Sequence, residues 1–309
     1  MAEIQTAEYE DAQPLGESQE AGASDFIALL KPRVMSLVIF TGAIGLLMAP
    51  GSMNPVLAFT AVLLLAIGAG ASGALNMWYD ADIDARMNRT QSRPVPAGRM
   101  DAGEALGFGI TLSVASVTIM GLVVNWVAAS LLALTIFYYA VIYTMGLKRR
   151  TPQNIVVGGA AGAFPPIIGW AAVSGTVSIE ALALFAIIFF WTPPHFWSLS
   201  LYCREDYEKA GIPMLPVVSG EVETRKQIFL YSLLLGPLGL APYFMGFAGQ
   251  AYAIVAGVLG LVFIVGAYRV LKSQGMKPAR QLFAFSIIYL FTLFAVLAVE
   301  HLYMGIANG

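Results

Sequence analysis

The sequence has little of what soluble chemistry runs on. Only 12% of its 309 residues are charged, against 58% hydrophobic, and a soluble chain carries about twice that charge. One cysteine, Cys203, excludes an internal disulfide framework and a cysteine-based zinc site. With only two histidines, His195 and His301, a multi-histidine metal centre is not expected. Net charge is −2, so the basic footprint of a nucleic-acid binder is missing. Lysine and arginine are absent from residues 1–25, which carry Glu3, Glu8, Glu10, Asp11, Glu17, Glu20 and Asp25. A signal peptide needs a basic start and an apolar core, and a mitochondrial transit peptide is Arg-rich and acid-poor. Residues 1–25 match neither. They read as a disordered acidic tail before one domain over 26–309, in a bacterial rather than organellar protein.

What is present is apolar. Mean hydropathy is +0.73, and nine runs approach the roughly 20 residues that cross a bilayer. They lie near Val34–Ala49, Val56–Tyr79, Ala105–Val124, Trp126–Leu147, Ile155–Val173, Ile179–Leu201, Ile228–Phe247, Ala251–Leu271 and Leu282–Tyr303. The first is short unless Phe26–Leu30 joins it. These runs predict an all-α membrane protein, nine transmembrane helices around a central cavity and embedded in the lipid bilayer. All 17 basic residues fall on one side of that arrangement. The positive-inside rule makes that side cytoplasmic, with the N-terminus inside and the C-terminus outside. Two polar loops on that side are long, Asp80–Glu104 and Arg204–Gln227, and they follow the second and sixth spans. Each opens with acidic residues, which points to an internal repeat of four helices.

The first polar loop begins Asn76-Met-Trp-Tyr-Asp80-Ala-Asp82-Ile-Asp84 and runs on to Arg93-Pro-Val-Pro-Ala-Gly98. If the helix continues, Asn76, Asp80 and Asp84 share one face at i, i+4 and i+8. Three oxygen side chains in a row suit a hard cation such as Mg2+ and the phosphates it bridges. The plainer alternative is a solvated acidic helix end. The second loop begins Tyr202-Cys-Arg-Glu-Asp206-Tyr-Glu-Lys209. Asp206 could face Asp80 and complete a carboxylate cluster that needs a cation, or the stretch is an ordinary interfacial helix. Arg86, Arg89, Arg93, Lys148, Arg149 and Lys209 could clamp a diphosphate, although the inside-positive bias alone explains most of them. Tyr202 stands at the same mouth. His195 lies in Trp191-Thr-Pro-Pro-His-Phe-Trp197, where two prolines should break the helical bonding. An ionisable residue at membrane depth is a candidate site residue, able to ligate a haem iron. Alternatively it bonds a carbonyl that the prolines leave free.

The Asn76–Asp84 pattern with Arg93–Gly98 resembles the intramembrane UbiA-type prenyltransferases. That resemblance implies nine transmembrane helices and an isoprenyl diphosphate held through Mg2+ at two Asp-rich motifs. Asn76, Asp80, Asp84 and Asp206 would then be the metal ligands, with Asp80, Asp84 and Asp206 the catalytic carboxylates. Thr192-Pro-Pro-His-Phe-Trp197, Gly211-Ile-Pro-Met-Leu-Pro-Val217 and Lys148-Arg-Arg-Thr-Pro-Gln-Asn154 are similar to family members that farnesylate haem b. The substrates implied are farnesyl diphosphate and haem b, and the product would pass to haem A synthase or terminal-oxidase assembly factors. One departure stands out. The family's second motif often reads Asp-x-x-x-Asp, but Ala210 follows Asp206 at that spacing, so Tyr207 or Lys209 would have to contribute. A prenyltransferase for a quinone precursor would share the diphosphate site. A secondary transporter would also use carboxylates and broken helices, but near the midplane.

Overall fold

Membrane-length helices form where the sequence offers apolar runs, and polar caps fix their ends. The computed structural model describes residues 21–307. Its helices, in order, are α1 (Ala23–Leu29), α2 (Pro32–Met48), α3 (Pro55–Tyr79), α4 (Ala81–Asp84), α5 (Ala102–Ile119), α6 (Trp126–Phe137), α7 (Asn154–Ala163), α8 (Pro165–Ser174), α9 (Ile179–Tyr202), α10 (Arg204–Lys209), α11 (Leu215–Val218), α12 (Gly220–Gly239), α13 (Ala241–Phe244), α14 (Gln250–Lys272) and α15 (Lys277–Ala307). Helices α5 and α6 run on as π-helical turns, Met120–Val124 and Tyr138–Leu147. Asn54 caps α3 by accepting from Val56 N at 2.9 Å, with Pro55 in the first turn. Asp101 and Glu104 form a reciprocal capping box on α5, the arrangement that satisfies two orphan donors at once. Gly175, at φ 68°, closes α8.

Among the described residues, eight helical stretches are long and apolar enough to cross a membrane. They become nine if α1 and α2, bent by 53°, count as one span. The chain is a multi-pass membrane protein. Phe26–Leu30 does lie beside the first span, as its shortness requires, but at an angle. Most span boundaries fall where the apolar runs put them. The seventh does not: α12 starts at Gly220, ahead of Ile228. Its first turns are polar, so hydropathy misses them. They are nonetheless held, because Arg225 is 4% exposed, pairs with Glu221 at 3.2 Å and donates to Val270 O at 3.1 Å. The tail boundary also shifts. Residues 23–25 belong to α1, and Asp25 pairs with Arg99 at 3.0 Å. Residues 1–20 of the expected disordered tail lie outside the described residues.

The packing pairs each motif-bearing helix with the one after its loop: α3 lies on α5, and α9 on α12. Helix α9 also meets α7 and α15, and α2 meets α8. The α2–α8 contact needs glycine. A Cβ on Gly169 would sit 2.0 Å from Gly42 O, and one on Gly45 would sit 2.2 Å from Pro166 O. Small residues let two membrane helices approach backbone to backbone. Asn125 ties α6 to the same layer, donating to Ala171 O and Ala172 O at 2.9 and 3.0 Å. This frame fixes α3 and α9, whose loop ends carry the polar motifs.

Candidate active site

The C-terminal end of α3 carries the first cluster. Asp80 caps α3, yet its N–H still bonds Asn76 O at 2.9 Å, and Asp84 N bonds Asp80 O at 2.8 Å. The helical path therefore continues into α4 and sets Asn76, Asp80 and Asp84 on one face, as their spacing requires. All three are buried, at 3%, 0% and 2% exposure. Carboxylates buried at a membrane boundary demand compensation; three cations supply it, and a lysine bonds the neighbouring amide. Lys148 pairs with Asp80. Arg93 pairs with Asp84 at 2.5 Å. Arg149 donates to both oxygens of Asp82, at 2.7 and 2.8 Å, and reaches Asp80 at 3.4 Å. Lys31 donates to Asn76 Oδ1 at 2.6 Å. The hydrogen-bonded Arg149 guanidinium holds the Asp82 carboxyl below its usual range, and Asp82 raises Arg149 in return.

Two of these contacts depend on unusual backbone. Lys31 sits at the α1–α2 bend in the left-handed region, φ 51°, the only non-glycine among the described residues with positive φ. Such a conformation costs of the order of 1–3 kcal/mol and marks a position fixed by its surroundings. The π-helical segment after α6 ends at Lys148, whose N–H bonds Tyr143 O. Its wider turn sets Thr144 against Asn76 Nδ2, at 3.1 Å, and Lys148 against Asp80. Such segments recur at functional sites. The sequence reading missed Thr144 and counted Lys31 only as a topology signal. A lysine directly before the first span's proline was the one available hint.

The second motif meets the first through its loops. Asn88 Nδ2 donates to Asp206 Oδ1 at 3.0 Å, and Arg89 donates to the Tyr207 hydroxyl at 3.1 Å while lying over its ring. Burial pushes the Tyr207 phenol up, against the pull of Arg89. Asp206 therefore shares the mouth, but its contact is Asn88 rather than Asp80. Tyr202 packs edge-on to Phe283 beneath Arg280. Arg86 and Lys209 are exposed, and neither joins these contacts. The donor set suits a hard cation, with two buried carboxylates and an amide oxygen within two turns. Among the described residues, no three His, Cys, Asp or Glu side chains stand close enough to share one ion. Substrate phosphate and water oxygens would have to complete the shell.

Deeper in the same helix lies His195. The expected break is not there: α9 runs through Pro193 and Pro194 without interruption from Ile179 to Tyr202. That stretch packs on α15, with Trp191 Nε1 donating to Ser286 O at 2.7 Å. Nor does His195 bond a freed carbonyl. Its Nδ1 is 2.6 Å from Ser286 Oγ, and its ring stacks between Trp191 and Phe283 at 4.2 and 4.6 Å. Histidine and Tyr202 thus share α9, roughly 10 Å apart at about 1.5 Å per residue, and Asp206 follows on the separate helix α10.

Residues 37–298 match the model of the UbiA prenyltransferase family. A protein of Parvibaculum lavamentivorans named protoheme IX farnesyltransferase is 60% identical over 304 residues, covering 97% of this chain and 96% of its own. One of Mesorhizobium japonicum named protoheme IX farnesyltransferase 2 is 61% identical over 280 residues, covering 89% of each. Among solved structures, a UbiA homolog from Archaeoglobus fulgidus bound to GPP and Mg2+ superposes with TM-score 0.68 at 18% identity, over 89% of this chain and 99% of its own. A digeranylgeranylglyceryl phosphate synthase superposes with TM-score 0.73, also at 18% identity, over 90% and 98%.

Proposed function

The chain belongs to the UbiA prenyltransferase family, and from that premise we propose that it transfers the farnesyl group of farnesyl diphosphate to a vinyl group of haem b, adding water and releasing diphosphate, to give haem O. The observation that carries this reading is end-to-end identity of about 60% with relatives named for that reaction. The paired buried carboxylates at the end of α3 supply the matching chemistry.

Asp80 and Asp84, with Asn76 on the same face, are the residues that would hold Mg2+; Asp206, bonded to Asn88 on the facing loop, would join only through substrate or water oxygens. When bound, Mg2+ would neutralise the diphosphate oxygens and so lower the cost of breaking the allylic C–O bond. The protein's cations do the rest. Lys148, Arg93 and Arg149 are held against carboxylates, and a diphosphate would offer them stronger acceptors, bidentate for the arginines. Lys31 would pass from Asn76 Oδ1 to a phosphate oxygen and release that amide oxygen. Charge then leaves with the diphosphate into a preformed cationic rim. Apolar helices shield the farnesyl cation-like carbon from water until a haem vinyl group attacks it, and water then quenches the new cation. His195 is the acceptor-site residue of this reading.

The rim is the cytoplasmic end of the helices, in a bacterial inner membrane. All 17 basic residues support that orientation. A reporter inserted within residues 85–101 should read cytoplasmic and one fused after Gly309 external; a cytoplasmic C-terminus would contradict it. Haem A synthase or terminal-oxidase assembly factors are the recipients this reading implies for the product. Spectral titration separates the reading from a quinone-precursor prenyltransferase. Purified protein should give a saturable one-to-one shift of the haem b Soret band. A featureless, non-saturating response would favour the quinone reading.

A further inference from the structure

The hydroxyl that meets His195 has only one proton to give. Ser286 Oγ lies 2.6 Å from the carbonyl oxygen of Phe283, one turn back on α15. A carbonyl accepts and never donates, so the serine proton is committed there. The same oxygen is 2.6 Å from His195 Nδ1. Ser286 can meet that nitrogen only as an acceptor, and Nδ1 must therefore carry the imidazole proton. In a neutral imidazole the other nitrogen, Nε2, is then a bare lone pair.

The surroundings hold this arrangement. The ring cannot turn over easily between the faces of Trp191 and Phe283, which lie within 17° and 23° of its plane, with Phe196 edge-on at 5.2 Å. Trp191 is anchored in turn by its indole bond to the backbone of Ser286, so one residue of α15 fixes both the ring and its clamp. Nothing among the described residues bonds Nε2. It is also not among the fully buried polar atoms left without a partner, so the surrounding side chains do not seal it off completely.

We propose that Ser286 is a positioning residue: it fixes His195 as the Nδ1–H tautomer and leaves Nε2 to ligate the iron of haem b. This rests on the proposed haem acceptor. A ligating histidine typically donates its other N–H to an oxygen that sets ring orientation, and losing that oxygen costs roughly 10–100-fold in metal affinity. A purely structural role, tying α9 to α15, would need neither the tautomer nor a free Nε2.

Two measurements test it. In haem-free protein carrying His301→Gln, the one remaining histidine, labelled with 15N, should show a protonated Nδ1 and a bare Nε2. A protonated Nε2 overturns the proposal without any change at Ser286. In haem titrations, Ser286→Ala should weaken binding roughly 10–100-fold with a shifted Soret band, Ser286→Thr should restore both, and affinity for farnesyl diphosphate should stay at the wild-type value in each. If Ser286→Ala keeps the wild-type Soret band and affinity while His195→Ala loses haem, histidine ligates but serine does not position it, and the proposal fails. If His195→Ala also binds haem normally, the assignment of His195 to the haem site fails, and this proposal with it.

Discussion

Asp80→Asn should lose about 100- to 1,000-fold in turnover, the scale on which a preorganised electrostatic contact to the reacting charge is worth about 2.7–4 kcal/mol. The substitution keeps the shape and an oxygen acceptor. It removes the negative charge that pairs with Lys148 and, on the proposed reading, holds Mg2+. The choice of asparagine follows from the structure. Asp80 has no exposure, pairs with Lys148 and accepts from Asn76 Nδ2 at 2.6 Å. Asp80→Ala would leave a mostly buried ammonium without its partner, at a cost of about 3–5 kcal/mol. Lost activity in that variant would confound chemistry with stability, although the spacing alone suggests a residue free of any packing role. Mg2+-dependent affinity for farnesyl diphosphate should fall in Asp80→Asn, haem titration should stay near wild type, and thermal unfolding should shift less than in Asp80→Ala because the amide oxygen can still accept from Lys148. Wild-type turnover in Asp80→Asn would remove the aspartate from the site.

His195→Ala should do the reverse, losing measurable haem binding and turnover while retaining affinity for farnesyl diphosphate. Iron would lose its ligand, and the Trp191–Phe283 clamp would lose the ring between its faces. The carboxylates of the mouth touch neither the histidine nor its clamp, and only Tyr202, at the end of α9, meets Phe283. Separate titrations of the two ligands on both variants give a crossed pattern that no general unfolding can imitate. If both ligands are lost together in either variant, the two subsites are not independent, and the separation of donor and acceptor sites fails.

Most of the fold was legible because a run of about 20 apolar residues has few alternatives to a membrane span. The first turns of α12 were not, since Glu221, Glu223, Arg225 and Lys226 look like a loop to any hydropathy window. Tertiary contacts to Val270 O make them helix. The face shared by Asn76, Asp80 and Asp84 followed from helical spacing. The cations that neutralise it did not: Lys148 reaches Asp80 across 68 residues of chain, through a π-helical segment with no sequence signature. Nor could the sequence show that Asp206 meets Asn88, since the approach of α10 to the loop after α4 depends on the packing of α3 and α9. The proline pair before His195 suggested a broken helix, because local bonding is all that a sequence displays. Packing of α9 on α15 outweighs it, and Ser286, the residue that explains the histidine, lies 91 residues away.

The central claim is the identity of the donor and acceptor together, and product analysis tests it most directly. Membranes containing the protein, given haem b, farnesyl diphosphate and Mg2+, should yield a porphyrin whose mass equals haem b plus a farnesyl group and a hydroxyl. Equimolar diphosphate should be released, and Asp80→Asn membranes should form product about 100- to 1,000-fold more slowly. Haem b recovered unchanged, from membranes that prenylate a quinone precursor instead, would contradict the account.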